Sequence, residues 1–71
     1  MSDDKLLSQI SENLSRIRKE QRYTQRELAE LAGLNSNYYA KVERGEGMPS
    51  LKTIHKLAKA LKVTATDIVG F

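Results

Sequence analysis

The stretch Thr24–Gly45 constrains the fold of this 71-residue chain more than any other, because it carries start and stop signals for two short helices in succession. Thr24 followed by Glu27 is an S/T-x-x-E capping box, in which the hydroxyl accepts from a helix amide and the carboxylate accepts from the amide of the cap. Gly33 can end the first helix with a positive φ, and Asn35 can cap the second. The stretch therefore predicts two helices joined by a tight turn.

Apolar residues recur at helical spacing within this stretch, which predicts the side of each helix that is buried. Two helices this short cannot bury an apolar face alone, so they must pack on each other and on the flanking helices. The residues that we expect in the core are Leu28, Ala29, Ala32, Tyr39 and Val42.

Three further helices flank the central pair. The first is capped by Ser2 or Asp3, and its apolar stripe consists of Leu6, Ile10, Leu14 and Ile17. After a loop rich in Gly and Pro, Ser50 caps a fourth helix with the apolar stripe Leu51, Ile54, Leu57, Ala58 and Leu61. Thr64 with Asp67 predicts a short last helix that ends at Gly70. The expected fold is all-α, a compact bundle of five short helices at about residues 3–21, 25–32, 36–44, 51–61 and 65–69.

The composition limits the chain to a few classes of protein. At this length we expect one domain, residues 1–71, near the lower limit for a self-sufficient core, and the last residues contain no obvious linker. There is no Cys and one His, so we expect no disulfide, metal or cofactor. No apolar run is long enough for a membrane span, and a cytoplasmic, nucleoid-associated protein is the default. No nucleophile–base pair or Gly-rich phosphate loop indicates an enzyme.

Positive charge is concentrated in the middle of the chain. The segment from Arg16 to Lys62 has 11 Lys and Arg but 5 Asp and Glu, whereas the two ends are acidic on balance. This distribution favours an anionic partner such as nucleic acid; on charge alone, a solvated surface of mixed charge explains it equally well.

The order of these elements resembles the lambda-repressor-like (Xre/Cro-type) family of helix-turn-helix DNA-binding domains. The resemblance covers roughly Leu14 to Val69. It is carried by TQRELAELAGL, by the later KVERG, by the Pro-Ser-Leu sequence at residues 49–51, by LAKAL and by Asp67-Ile68. It implies that the helix after Asn35 is the recognition helix of a double-stranded DNA-binding protein, with its N-terminal part on the base edges.

The resemblance also implies roles for individual residues. Those expected to read bases are Ser36, Asn37 and Lys41, whose side chains can donate to or accept from base edges in the major groove. Those expected to contact phosphate are Gln25, Asn35, Tyr38, Arg44 and Lys52. For each of these residues the alternative is an ordinary polar helix surface.

Two further expectations concern the interior. Arg18 and Glu43 match positions where the family commonly has a buried or half-buried ion pair that joins the first helix to the end of the recognition helix. Tyr39 departs from the family, which usually has a branched aliphatic residue there. A buried Tyr hydroxyl needs water or a hydrogen-bond partner.

The function implied is that of a sequence-specific transcriptional regulator of prokaryotic or phage type, similar to restriction–modification controller proteins and phage repressors. With no room for a further ligand-binding or dimerisation domain, a homodimer would form through Ile68, Val69 and Phe71. Such a dimer would read a near-palindromic operator with two recognition helices about 34 Å apart, and would need no small-molecule ligand. The alternative is an antitoxin or adaptor whose main partner is a protein, since a fold does not fix a function.

Overall fold

The computed structural model describes residues 3–71, and all of the regular structure in this range is helical. The helices are α1 (Asp3–Glu20), α2 (Gln25–Ala32), α3 (Ser36–Glu43), α4 (Leu51–Leu61) and α5 (Ala65–Val69). The predicted all-α fold of five helices is confirmed, and the predicted bounds differ only at the ends of α1 and α3, each one residue shorter than expected. Ser2, a candidate cap of α1, lies outside the described residues.

Each short helix begins at the cap that the sequence predicts. Both reciprocal hydrogen bonds of the Thr24–Glu27 capping box are present, as are those of Thr64 and Asp67. The Ser50 side chain accepts from the amide of Thr53 at the start of α4. These local bonds satisfy amides that have no partner inside their helix, so the helix starts are determined by residues close in sequence.

The helices pack as a small bundle around one apolar core. α1 lies against α3 and α5, α2 lies against α3 and α4, and α4 also contacts α5. The predicted core residues of α2 and α3 are all buried, and Tyr39 and Leu28 are fully inaccessible. The buried apolar side chains are Ile10, Leu14, Ile17, Leu28, Ala29, Ala32, Tyr39, Val42, Ile54, Leu57, Ala58, Leu61 and Ile68.

The apolar stripe of α4 differs from the prediction at its first residue. Leu51 is 88% exposed, whereas Ile54, Leu57 and Leu61 are buried as expected. Leu51 has the helical phase of the buried residues, but its side chain lies mostly in solvent. Thr53, which the sequence placed outside the stripe, is only 7% exposed.

Two side-chain amides of α1 hold the end of α5, and that of Gln21, the residue after α1, holds the end of α4. Gln9 Nε2 donates to the Val69 carbonyl at 2.6 Å, and Asn13 Nδ2 donates to the Ile68 carbonyl at 2.9 Å. Gln21 Nε2 donates to the Leu61 carbonyl at 2.7 Å. The last carbonyls of a helix have no partner within it, so these three bonds fix the helix ends against α1.

Ile68 is a core residue and not a surface residue, which corrects its predicted place in a dimer interface. Its side chain is fully buried within its own chain. A side chain that is already inaccessible in one protomer has no surface left to bury against a second.

Among the described residues, no helix has both the length and the hydropathy of a membrane span.

Candidate nucleic-acid interface

α3 presents its polar face to solvent from a well-defined start. Asn35 Oδ1 accepts from the amides of Asn37 at 2.9 Å and Tyr38 at 3.1 Å, so the carboxamide oxygen of this predicted phosphate contact acts as the helix cap. Its amide nitrogen is the group that could donate to a phosphate. Asn37 and Lys41, one helical turn apart, are exposed, and Ser36 is half-buried. The three predicted base-reading residues thus lie on one short helix, and two of them are exposed.

An ion pair ties the end of α3 to α1. Arg18 Nη2 lies 2.7 Å from Glu43 Oε1, and Arg18 Nε donates to Glu43 Oε2 at 3.0 Å. Arg18 Nη1 also donates to the Tyr23 carbonyl at 2.7 Å. The side chains are 11% and 5% exposed, so the pair predicted from the resemblance is present and largely buried. It fixes α3 relative to α1 and to the residues before α2.

The pKa values of both partners reflect this pairing. The hydrogen bond to Glu43 raises the pKa of Arg18 above its ordinary value. Burial alone would raise the pKa of Glu43, but the hydrogen bonds that it accepts, first from Arg18, outweigh burial and lower that pKa. Both groups are therefore charged at neutral pH.

Gln25 is attached to the same ion pair. Its Nε2 donates to Glu43 Oε2 at 3.2 Å, and the side chain is half-buried at the start of α2. A carboxamide nitrogen carries two hydrogens, so the second remains available to a phosphate oxygen. Glu43 therefore connects the end of α3, α1 and the first residue of α2.

Tyr39 fills its core position without the hydrogen bond that a buried hydroxyl normally makes. The side chain is fully inaccessible, and its Oη has no hydrogen-bond partner among the described residues. Burial raises the pKa of this phenol, with a further contribution from the negative charge of Glu43. The departure from an aliphatic residue thus leaves a buried phenol beside the charged groups of Arg18 and Glu43.

Tyr39→Phe is expected to leave the fold unchanged and to raise the free energy of unfolding by about 1 kcal/mol, because it removes a buried polar group that is left unsatisfied. Urea denaturation of the two proteins, monitored by circular dichroism, measures the difference. A loss of stability on removing the hydroxyl would show instead that it donates to a partner in solution, Glu43 being the nearest anion.

The hydroxyl of Tyr38 is directed at the start of α4. Tyr38 Oη lies 3.2 Å from Thr53 Oγ1, and Ser50 Oγ lies 3.1 Å from the same atom. Tyr38 as a whole residue is 38% exposed. Thr53 was not predicted as part of the site. Its position three residues after Ser50 indicates that it belongs to the first turn of α4, but it does not indicate that its hydroxyl contacts a residue of α3.

Two cations complete the predicted phosphate contacts. Arg44 caps the end of α3 and forms an ion pair with Glu46, with both side chains about half exposed. Hydrogen bonding to Glu46 raises the pKa of Arg44, so the guanidinium is charged. Lys52 is exposed in the first turn of α4. These two residues are on either side of the loop that joins α3 to α4.

The C-terminal residues differ in exposure. Phe71 is 73% exposed, and Val69 is partly buried against the core. Of the three predicted interface residues, these two retain accessible apolar surface.

The geometry defines a class of protein. Two short capped helices, α2 and α3, are joined by a turn that begins at Gly33. A buried ion pair fixes α3, and the polar face of α3 is exposed to solvent. This is a helix-turn-helix domain, the arrangement by which DNA-binding regulators place a helix in the major groove.

Comparison with known proteins identifies the family. Residues 14–68 match the helix-turn-helix family HTH_3, and the chain belongs to this family. It is 41% identical over 61 residues to the immunity repressor protein of Bacillus phage phi105, a match that covers 86% of this chain and 42% of the repressor. It is 35% identical over 60 residues to the control protein C.SmaI of Serratia marcescens, covering 84% of this chain and 71% of that protein.

Comparison with solved structures also gives helix-turn-helix regulators. The restriction–modification controller protein C.AhdI from Aeromonas hydrophila superposes with a TM-score of 0.85 at 35% identity, covering 87% of this chain and 94% of that one. An HTH_3 family transcriptional regulator from Vibrio cholerae superposes with a TM-score of 0.91 at 28% identity, over 97% of this chain but 39% of that one. The predicted family is confirmed: the chain is a helix-turn-helix DNA-binding domain of the type found in transcriptional regulators, and it spans less than half the length of the phage repressor that it matches.

Proposed function

We propose that this chain regulates transcription by binding a near-palindromic operator as a homodimer, with α3 in the major groove. The observation that carries the proposal is the exposed polar face of α3, on which Asn37 and Lys41 stand one turn apart on a helix fixed by the Arg18–Glu43 pair. Asn pairs well with adenine and Lys with guanine, so these side chains suit base edges. As a DNA-binding protein it would act in the cytoplasm, at the nucleoid.

The phosphate contacts are proposed to surround this helix. Gln25 is the first residue of α2, Asn35 and Tyr38 are at the start of α3, and Arg44 and Lys52 lie at the two ends of the following loop. Groups at both ends of a recognition helix can hold the two walls of a groove, which sets the register of the helix without reading sequence.

The dimer is proposed to form through Val69 and Phe71. Phe71 is a large apolar side chain left mostly in solvent, and the α1 amides hold the carbonyls just before it. A two-fold dimer through this end would repeat α3 about one duplex turn away.

The experiment that tests the proposal is selection of binding sites from a random duplex library, followed by sequencing of the recovered pool. Two related half-sites in inverted orientation would support specific binding and the dimer together. A single half-site would keep the DNA function and remove the dimer. A pool without an enriched motif would reject specific binding and direct the search to a protein partner, as expected of an antitoxin or adaptor.

Binding of duplex DNA is expected to weaken steeply with salt. Arg44 and Lys52 give two cationic phosphate contacts per protomer, so a dimer should show a slope of about −3.6 in log affinity against log salt concentration. Fluorescence anisotropy of a labelled duplex at several salt concentrations measures this slope. A slope near zero would contradict phosphate binding, and a slope of half the expected size would indicate a bound monomer.

A further inference from the structure

Three hydroxyl groups form a continuous chain from the start of α4 to the exposed residue Tyr38. Ser50 Oγ accepts from the amide of Thr53 at 3.1 Å and lies 3.1 Å from Thr53 Oγ1. Thr53 Oγ1 in turn lies 3.2 Å from Tyr38 Oη. We propose that Thr53 is a positioning residue, which holds the Tyr38 hydroxyl in the orientation that binds a DNA phosphate. This proposal rests on the DNA-binding function proposed above.

The chain of hydroxyl groups links α3 to α4, a pair that is not among the helix pairs with extensive contacts. α3 packs closely on α1 and α2. The contact between Tyr38 Oη and Thr53 Oγ1 is a side-chain hydrogen bond between α3 and α4. Thr53 is 7% exposed, whereas Ser50 and Tyr38 are exposed, so the three hydroxyl groups connect two surface positions through a buried one.

The chemistry of a phosphate fixes the direction of the hydrogen bonds. A phosphate oxygen only accepts, so a Tyr38 bound to it must donate its single hydrogen outward. Tyr38 Oη can then only accept from Thr53, which must give its own hydrogen to Tyr38. Ser50 can supply the hydrogen that Thr53 Oγ1 accepts, because Ser50 Oγ already accepts from a backbone amide. The order Ser50 to Thr53 to Tyr38 to phosphate satisfies every group, and bonds aligned in this way strengthen one another.

The prediction is that Thr53→Val weakens binding of mixed-sequence duplex DNA by about fivefold per protomer, the value of one hydrogen bond. Valine keeps the shape of threonine, and the Ser50 cap survives because it uses the backbone amide of Thr53. Thr53→Ser keeps the hydroxyl and should bind within about twofold of the wild type. Thr66→Val, at an exposed position of α5, is the matched control and should bind as the wild type does.

A double-mutant cycle separates positioning from a structural effect. Tyr38→Phe alone should lose as much affinity as Thr53→Val, and the two together should lose no more than either alone, because both remove the same chain of bonds. Affinity is measured by anisotropy with the full chain, below the unfolding temperature of each variant. Fully additive losses, or an equal loss in Thr53→Ser and Thr53→Val, would overturn the proposal.

A measurement without DNA distinguishes failure of this proposal from failure of the DNA function. The chain has three tyrosines, so incorporation of 3-fluorotyrosine gives three fluorine resonances, of which Tyr38→Phe identifies one. The Tyr38 resonance should shift or broaden in Thr53→Val and stay unchanged in Thr53→Ser. An unchanged resonance in Thr53→Val would reject positioning by Thr53. A changed resonance in a protein that binds no duplex would keep the positioning and reject its use for DNA.

Discussion

Glu43→Ala is expected to lower the free energy of unfolding by about 2–4 kcal/mol, because it leaves the charge of Arg18 in the interior without its carboxylate. Loss of one partner of a fully buried pair typically costs about 3–5 kcal/mol. Here Arg18 keeps 11% exposure and its bond to the Tyr23 carbonyl, which places the effect below the top of that range.

Urea denaturation at neutral pH measures this loss, with Glu30→Ala as the matched control. Glu30 also pairs with an arginine, Arg26, at 3.2 Å, but those side chains are 68% and 82% exposed. Exposed pairs of this kind contribute little, so the control should be nearly as stable as the wild type. Similar losses in the two variants would show that burial of the Arg18–Glu43 pair has no special weight.

The stability difference between wild type and Glu43→Ala should also depend on pH. Folding lowers the pKa of Glu43, so its contribution is complete above the pKa of the unfolded chain and is lost as the pH falls through the lower pKa of the folded one. The two proteins should therefore converge as the pH drops below about 4. A constant difference down to pH 3 would mean that the ionised carboxylate is not what stabilises the wild type.

Much of the fold could be predicted because its signals are local. Thr24, Asn35, Ser50 and Thr64 each cap the helix that follows, with bonds to amides two or three residues away. The end of α4 had no such signal. Lys62 adopts a left-handed conformation there, with φ +57°, where the sequence offers no glycine. Packing of Val63 and the bond from Gln21 to the Leu61 carbonyl hold this turn.

Burial at the edges of helices could not be predicted from periodicity. Leu51 and Thr53 are two residues apart, and helical phase alone favours burial of the leucine. The opposite is observed: Leu51 is 88% exposed, whereas Thr53 is 7% exposed and its hydroxyl contacts Tyr38 Oη. Ile68 differs in the opposite direction. It was predicted to lie at a dimer interface, but its side chain is fully buried within its own chain.

The sequence also did not predict that carboxylates contact two of the residues proposed to bind phosphate. Gln25 donates to Glu43, 18 residues away, and Arg44 pairs with Glu46. The first link depends on tertiary packing. The second is between close neighbours, but a pair two residues apart has no regular helical geometry that predicts contact. Both show that a residue suited to phosphate can already have an internal partner before DNA arrives.

Asn37→Ala and Lys41→Ala are each expected to lower affinity for a selected operator by about tenfold to a hundredfold, because a side chain that reads a base edge contributes about 1–3 kcal/mol of discrimination. Both side chains are exposed on α3 and neither belongs to the core, so the variants should fold as the wild type does. Anisotropy titrations with the operator and with a mixed-sequence duplex measure specific and non-specific binding separately.

Lys59→Ala is the matched control for Lys41→Ala, because it removes the same charge from an exposed position near the end of α4. Non-specific binding depends on net charge, so both lysine variants should weaken it slightly and equally, whereas Asn37→Ala should not change it. Only the α3 variants should lose affinity for the operator beyond that amount. Repeating the site selection with each α3 variant should relax the base preference at one position per half-site. Equal losses of operator affinity in Lys41→Ala and Lys59→Ala would mean that Lys41 acts through its charge alone. Selection of an unchanged motif by Asn37→Ala would mean that Asn37 does not read a base.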